Sequence, residues 1–217
     1  ADDPLEEHLL AMTIQRGFDT ALIPIWDMVN HDNGKLNTDS NSQLAEEGIK
    51  VWANRTIAAG EEIYATYDYC QDCSDFGDWM GTPGIFRDFG FVESYPQYWP
   101  FVGQSIYFSV QAAESVNGGG GSKEYYAELH FEDDYAPTGK SLDFLKSRLS
   151  RLESMEATHL TSRGSIPQYQ WDGIVQFHNA FMNALECGIE AMLGLWSNRA
   201  YLEHGGADGG YEIIDEL

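Results

Sequence analysis

The chain has few basic residues, few cysteines and no long apolar stretch. Its 217 residues include 12 Lys and Arg against 35 Asp and Glu, which gives a formal charge of -23. A protein that binds duplex nucleic acid by neutralising phosphates needs a basic surface, so this charge excludes that class. Two explanations of the charge stay open: solubility, and attraction to a basic partner such as a lysine-rich protein segment.

The three cysteines are Cys70, Cys73 and Cys187. A small, odd number does not build a disulfide framework, so we expect an intracellular, reducing compartment. No run of about 18 apolar residues is present, and we therefore expect a soluble protein with no membrane partner. Cys70 and Cys73 form a CxxC pair, but a structural zinc ion needs four ligands and a redox motif needs a βαβ context. We therefore expect no metal site.

The first half of the chain reads as strand-rich. The pattern predicts a helix over residues 4–17, an extended segment over 21–26, strands over 48–54 and 62–67, and one or two helical turns over 85–89 that end at Gly90. In the strand over 62–67, Ile63, Ala65 and Tyr67 would share one face. The polar residues 32–48 read as a loop.

The second half reads as mostly helical. Alternation predicts strands over residues 105–110 and 125–131, joined by a glycine-rich loop over 117–122. An apolar stripe from Leu142 to Met155 predicts a helix with Ser141 as its N-cap, and a longer stripe from Trp171 to Trp196 predicts a second helix. The tail from His204 onward is glycine-rich and acidic. The order of elements indicates an α+β fold.

The candidate chemistry lies in two short stretches. Asn30 and His31 follow an apolar segment, where an amide and an imidazole could bind a ligand, although a loop turn, with Asn30 holding the backbone and His31 at the surface, is the simpler explanation of the pair. Tyr64 and Tyr67 lie in the predicted strand over 62–67, where tyrosines are ordinary face residues. The residues alone leave both alternatives open.

Three motifs in this order resemble the SET-domain methyltransferases of the Rubisco large-subunit methyltransferase type. Residues 22–31 (LIPIWDMVNH) resemble that family's "LIPLxDMxNH", residues 59–68 (AGEEIYATYD) its "xGEQVYIxYD", and residues 87–93 (RDFGFVE) its "xDYGFVE". The resemblance covers residues 9–93. It implies that residues 1–95 are the C-terminal part of a SET domain, including the end of its insert. Residues 96–217 would then be a helical substrate-binding lobe with an acidic, mobile tail.

The resemblance also implies an activity and a site. Members of the family transfer a methyl group from S-adenosylmethionine to a side-chain nitrogen of a protein, usually lysine and in some members histidine. Asn30 and His31 match the pair that contacts the cofactor, Tyr67 matches the catalytic tyrosine beside the cofactor, and Phe89 stands where the family has the tyrosine of "DYGF". We therefore expect a protein-lysine methyltransferase whose partner is a protein that presents a lysine, and a basic segment around that lysine would fit the negative charge of the chain.

Two departures leave another class open. The family's first SET strands and glycine-containing cofactor loop have no counterpart among these residues, and Phe89 cannot make the hydrogen bond of a tyrosine. We therefore expect the 217-residue chain by itself to bind S-adenosylmethionine poorly. The alternative to the enzyme is a non-catalytic module that binds a basic peptide.

Overall fold

The computed structural model describes residues 3–18, 21–41, 48–68, 80–101, 104, 106–114, 123–130 and 138–205. The chain divides into two compact units, Ala1–Pro100 and Phe101–Leu217. Helices and antiparallel strand pairs occur together, which confirms the α+β class. The assignment of the two units to a SET-domain portion and a substrate-binding lobe stays a prediction.

Four helices and seven strands are present in the described ranges. The helices are α1 (Pro4–Arg16), α2 (Gly81–Phe89), α3 (Gly139–His159) and α4 (Gln168–Gly205), with a short 3₁₀ helix at Trp26–Met28. The strands are β1 (Gly17–Phe18), β2 (Ala21–Leu22), β3 (Thr38–Ser40), β4 (Val51–Ala53), β5 (Gln97–Phe101), β6 (Ile106–Glu114) and β7 (Lys123–His130). No helix in the described ranges is long and apolar enough to cross a membrane.

Local sequence signals explain where α1 begins and where α2 ends. The Asp3 side chain caps α1 by accepting a hydrogen bond from the Leu5 amide at 2.9 Å, and Pro4 occupies the first helical position. None of the residues of α1 is buried. Helix α2 ends at Gly90, as predicted, because this glycine adopts the left-handed conformation with φ 78°.

The first unit contains two small antiparallel sheets. β1 pairs with β2, and β3 pairs with β4 in the register Thr38–Ala53 to Ser40–Val51. The extended segment predicted over residues 21–26 is therefore only partly a strand, and the loop predicted over 32–48 contains β3.

The strand predicted over residues 62–67 is wrong: this segment makes only an isolated bridge, between Asn30 and Tyr64. Side chains take the place of a partner strand. The buried Asn37 amide donates to the Glu62 carbonyl at 2.8 Å and accepts from the Tyr64 amide at 2.8 Å. Ile63 is 47% exposed and Ala65 is 5% exposed, so they do not share a face.

The second unit packs two helices with a hairpin. β6 and β7 pair antiparallel over eight residues, and the core contains Phe108 and Val110 of β6, Leu142 and Leu145 of α3, and Leu185 and Met192 of α4. The Phe101 ring lies 5.9 Å from Phe108, 5.7 Å from Phe144 and 6.1 Å from Phe181, measured between centroids.

The N-cap of α3 lies three residues earlier than predicted. Thr138 is the N-cap, and Ser141 is the third helical residue that completes a reciprocal capping box with it. The predicted glycine-rich loop over 117–122 and the tail after Gly205 lie outside the described residues.

Gly188 of α4 tests how tightly this core is packed. A Cβ atom there would come within 2.8 Å of Phe108 Cζ and 3.4 Å of Leu145 Cδ1, and both of those side chains are fully buried. We expect Gly188→Ala to lower the free energy of unfolding by about 1–2 kcal/mol, because overpacking outweighs the gain in helix propensity.

Gly194 of the same helix is the matched control. An added Cβ meets nothing within 4 Å there, so Gly194→Ala should raise the free energy of unfolding by up to about 1 kcal/mol. Denaturant titration of both variants measures these changes. Equal stabilisation by the two substitutions would contradict the packing described.

Candidate active site

The side chain of His31 is hydrogen-bonded to the backbone of Tyr67. The Tyr67 amide donates a hydrogen bond to His31 Nδ1 at 3.0 Å, and His31 Nε2 lies 2.8 Å from Glu93 Oε1. Because a backbone N–H can only donate, the contact with the Tyr67 amide needs a lone pair on Nδ1. These two contacts fit the Nε2–H tautomer, in which Nε2–H donates to Glu93.

Glu93 is a buried acceptor for three side chains from two segments of the first unit. Its residue exposure is 3%, and its side chain and that of His31 are fully buried. Besides His31, it accepts from Asn33 Nδ2 at 2.9 Å and from Thr82 Oγ1 of α2 at 2.6 Å. These contacts connect the Asn30–His31 loop to α2, and the sequence motifs assigned Glu93 no role.

Tyr67 is half-buried and anchored at both ends. Its hydroxyl donates to the Val29 carbonyl at 2.7 Å, while its amide is held by His31. Burial raises the pKa of the phenol, against a smaller lowering by Arg16. The phenol is therefore protonated and uncharged at neutral pH.

Two aromatic rings lie beside Tyr67. The Phe89 ring lies 4.6 Å from the Tyr67 ring and 6.4 Å from Phe91, and the His31 ring lies 5.3 Å from Tyr67 and 5.9 Å from Phe91. These four residues form what we term the aromatic cluster. Three of the predicted site residues, His31, Tyr67 and Phe89, thus lie together.

Asn30, the fourth predicted site residue, is oriented differently. Its carbonyl accepts from the Ala65 amide at 3.0 Å, but its side chain is exposed and donates to Glu62 Oε1 at 2.6 Å. The Asn30 amide is the largest cause of a lowered pKa at Glu62. The Asn30 side chain is therefore bound to a surface carboxylate.

Asp68 is a second buried carboxyl group that the sequence motifs did not single out as functional. It is fully buried, and its Oδ1 accepts from the Gly81 amide at the start of α2. Its Oδ2 has no hydrogen-bond partner among the described residues. Burial, and then the charge of Glu93, raise the pKa of Asp68 to about 8. Asp68 is thus protonated at neutral pH.

The other candidates contribute nothing to this site. Cys70 and Cys73 lie outside the described residues, and within the described ranges no group of three or more His, Cys, Asp or Glu could hold a metal ion. The remaining cysteine, Cys187, is buried in α4, and burial raises the pKa of its thiol to about 11. Cys187 is therefore an unreactive thiol at neutral pH.

The raised pKa of Asp68 predicts a pH dependence of stability. The carboxyl loses its proton near its ordinary pKa of 3.8 in the unfolded chain and at about 8 in the folded chain. Between these values the folded state binds more protons, so the free energy of unfolding falls as the pH rises, and Asp68→Asn should remove this fall.

Denaturation midpoints of wild type and Asp68→Asn at about pH 5 and about pH 9 measure the effect. We expect Asp68→Asn to be more stable relative to wild type at about pH 9 than at about pH 5. Asp39→Asn, at an exposed carboxylate in β3, is the control and should leave the pH dependence unchanged. Parallel pH profiles for wild type and Asp68→Asn would show that Asp68 is ionised in the folded chain.

Comparison with known proteins gives local similarity to a group of methyltransferases. A stretch of 47 residues, 22% of this chain, is 47% identical to the actin-histidine N-methyltransferase of Canis lupus familiaris. The enzymes of that name from Gallus gallus and Homo sapiens are 45% identical over 47 residues. No family model matches the chain, and no solved structure matches it.

The matched stretch spans 8% of the length of each of these relatives. They are protein methyltransferases by name, so this chain is similar over about a fifth of its length to enzymes that methylate a protein.

Proposed function

We propose that this chain is part of an S-adenosylmethionine-dependent protein methyltransferase, with a SET domain of the Rubisco large-subunit methyltransferase type and a lysine as its acceptor. The observation that carries the proposal is the 47-residue similarity to protein methyltransferases. The geometry around Tyr67 supports it.

Tyr67 has the properties that a methyl-transfer site needs in a positioning group. Its hydroxyl proton is committed to the Val29 carbonyl, so the lone pairs of the phenol oxygen are free to accept hydrogen bonds. They can accept from the incoming amine and from a polarised methyl group. Because the raised pKa keeps the phenol uncharged, Tyr67 does not compete with the amine as an anionic nucleophile.

S-adenosylmethionine would be held by Asn30, His31, Tyr67 and Phe89. When bound, it supplies an electrophilic methyl group on a sulfonium. The aromatic cluster offers apolar ring faces that exclude water, and the Asn30 amide offers a donor at the surface. That amide donates one of its two protons to Glu62, and the other proton could be donated to a bound cofactor.

The acceptor lysine must be neutral when it attacks, although its ordinary pKa is about 10.4. Apolar surroundings such as the rings of Tyr67, Phe89 and Phe91 lower the pKa of an amine by disfavouring its charged form. Most of the rate enhancement then comes from alignment of the amine with the methyl group. The net charge of -23 would attract a lysine-rich segment to the protein.

A histidine acceptor is the second candidate, because the similar enzymes are named actin-histidine N-methyltransferases. An imidazole has an ordinary pKa of about 6.5 and is mostly neutral at pH 7. It therefore needs less help than a lysine to lose its proton.

The pH dependence of methyl transfer distinguishes the two acceptors. With a lysine peptide at saturating cofactor, we expect the rate of the full-length protein to keep rising between about pH 7 and pH 9, because the fraction of neutral amine rises. A matched peptide with histidine in place of that lysine should give little product. Transfer to the histidine peptide alone, with a rate that levels off above about pH 7.5, would establish the histidine alternative.

Tyr67→Phe tests the site directly. It removes the phenol oxygen and keeps the ring, so we expect the full-length protein to lose methyl transfer by about 100-fold or more while its fold survives. The measurement is transfer of labelled methyl groups from S-adenosylmethionine, with circular dichroism to check the fold. Tyr126→Phe is the control, because Tyr126 is 47% exposed in β7.

Unchanged turnover in Tyr67→Phe would contradict the assignment of Tyr67. Calorimetry addresses the non-catalytic alternative. A full-length protein that binds a basic peptide, gives no heat with S-adenosylmethionine and transfers no methyl group would be a binding module.

A further inference from the structure

We propose that Glu93 is a positioning residue: by fixing the tautomer of His31, it holds the backbone of Tyr67 and thereby the Tyr67 phenol. The catalytic part of this proposal rests on the proposed function, because it takes Tyr67 as the tyrosine of the transfer site. The tautomer and the backbone position can be measured without any activity.

His31 Nδ1 lies close to two backbone groups, one a hydrogen-bond donor and the other an acceptor. The Tyr67 amide at 3.0 Å can only donate, and the Ala65 carbonyl at 3.3 Å can only accept. A lone pair on Nδ1 binds the Tyr67 amide, whereas a proton on Nδ1 would bind the Ala65 carbonyl and leave the Tyr67 amide unsatisfied. The choice of tautomer therefore decides whether Tyr67 is held.

Glu93 decides this choice at the other nitrogen of the ring. Glu93 Oε1 lies 2.8 Å from His31 Nε2, and both side chains are fully buried. An acceptor at this distance favours the tautomer with its proton on Nε2, since two facing lone pairs would repel. The lone pair of Nδ1 is then directed to the Tyr67 amide.

Glu93 itself is held in one orientation. The Asn33 amide divides its two protons between Glu93 Oε1 at 2.9 Å and the Pro96 carbonyl at 2.6 Å. Thr82 Oγ1 accepts from the Tyr98 amide at 3.2 Å, and it donates its proton to Glu93 Oε2 at 2.6 Å. The carboxylate cannot rotate without breaking these bonds.

Two substitutions separate the hydrogen bonds of Glu93 from its charge. In Glu93→Gln the amide oxygen still accepts from His31 and Asn33, and the amide nitrogen can donate to Thr82. We expect this variant to keep the Nε2–H tautomer. In Glu93→Ala the His31 Nε2–H has no acceptor, and we expect both tautomers to be populated.

The measurement is the ¹⁵N spectrum of this chain labelled on histidine and tyrosine, which reports the histidine side chains and the Tyr67 amide. His31 is assigned by the signal that disappears in His31→Asn, and the other five histidines serve as internal references. We expect a protonated Nε2 and an unprotonated Nδ1 for His31 in the wild type and in Glu93→Gln. We expect averaged signals, with a shifted Tyr67 amide resonance, in Glu93→Ala.

Activity of the full-length protein provides the second readout. We expect kcat to fall by about 10–100-fold in Glu93→Ala, with a much smaller change in KM, and to stay within about threefold of wild type in Glu93→Gln. Glu153→Gln, at an exposed position of α3, is the control and should change neither readout.

A proton on Nδ1 of His31 in the wild type would overturn the proposal, and this result needs no variant to fold. An unchanged tautomer and an unchanged Tyr67 amide in folded Glu93→Ala would overturn it as well. An absence of methyl transfer by the wild type would instead contradict the proposed function and leave the spectra to decide the role of Glu93.

Discussion

The carboxylate of Glu93 has to be satisfied inside the first unit, and this requirement organises the candidate site. A buried charge without partners costs several kcal/mol, so the fold must bring donors to it. Here His31, Asn33 and Thr82 supply those donors. The same set of bonds ties the loop that follows the 3₁₀ helix to α2. It fixes the orientation of the His31 ring, and through that ring the start of the Tyr67–Asp68 segment.

The consequences extend to both carboxyl groups and to the aromatic cluster. Burial, and then the charge of Glu93, raise the pKa of Asp68 to about 8, so Asp68 is protonated at neutral pH. A protonated Asp68 adds no second negative charge for the buried donors to satisfy. Tyr67, held between His31 and the Val29 carbonyl, then packs beside Phe89. An uncharged phenol among rings is the arrangement that the proposed methyl transfer requires.

The sequence predicted elements whose signals are local. Helix α1 begins beside Asp3 and Pro4, and α2 ends at Gly90, because caps depend on a few adjacent residues. The motifs also predicted that His31, Tyr67 and Phe89 belong together. The alternating pattern over 62–67 wrongly predicted a strand. It gave no sign that the side chain of Asn37, far away in the chain, takes the place of a partner strand. Glu93 and Asp68 were missed for a similar reason. Glu93 contacts His31, 62 residues away in the sequence, and Asp68 contacts Gly81, 13 residues away. The spacing of residues within a short motif does not predict such distant contacts.

The central claim is that these residues position a methyl acceptor. The most direct test incubates the full-length protein with isotope-labelled S-adenosylmethionine and lysine-bearing protein substrates, and then locates the label by mass spectrometry. We predict labelled methyl groups on lysine nitrogen. A folded protein that transfers no label to any side-chain nitrogen would contradict it.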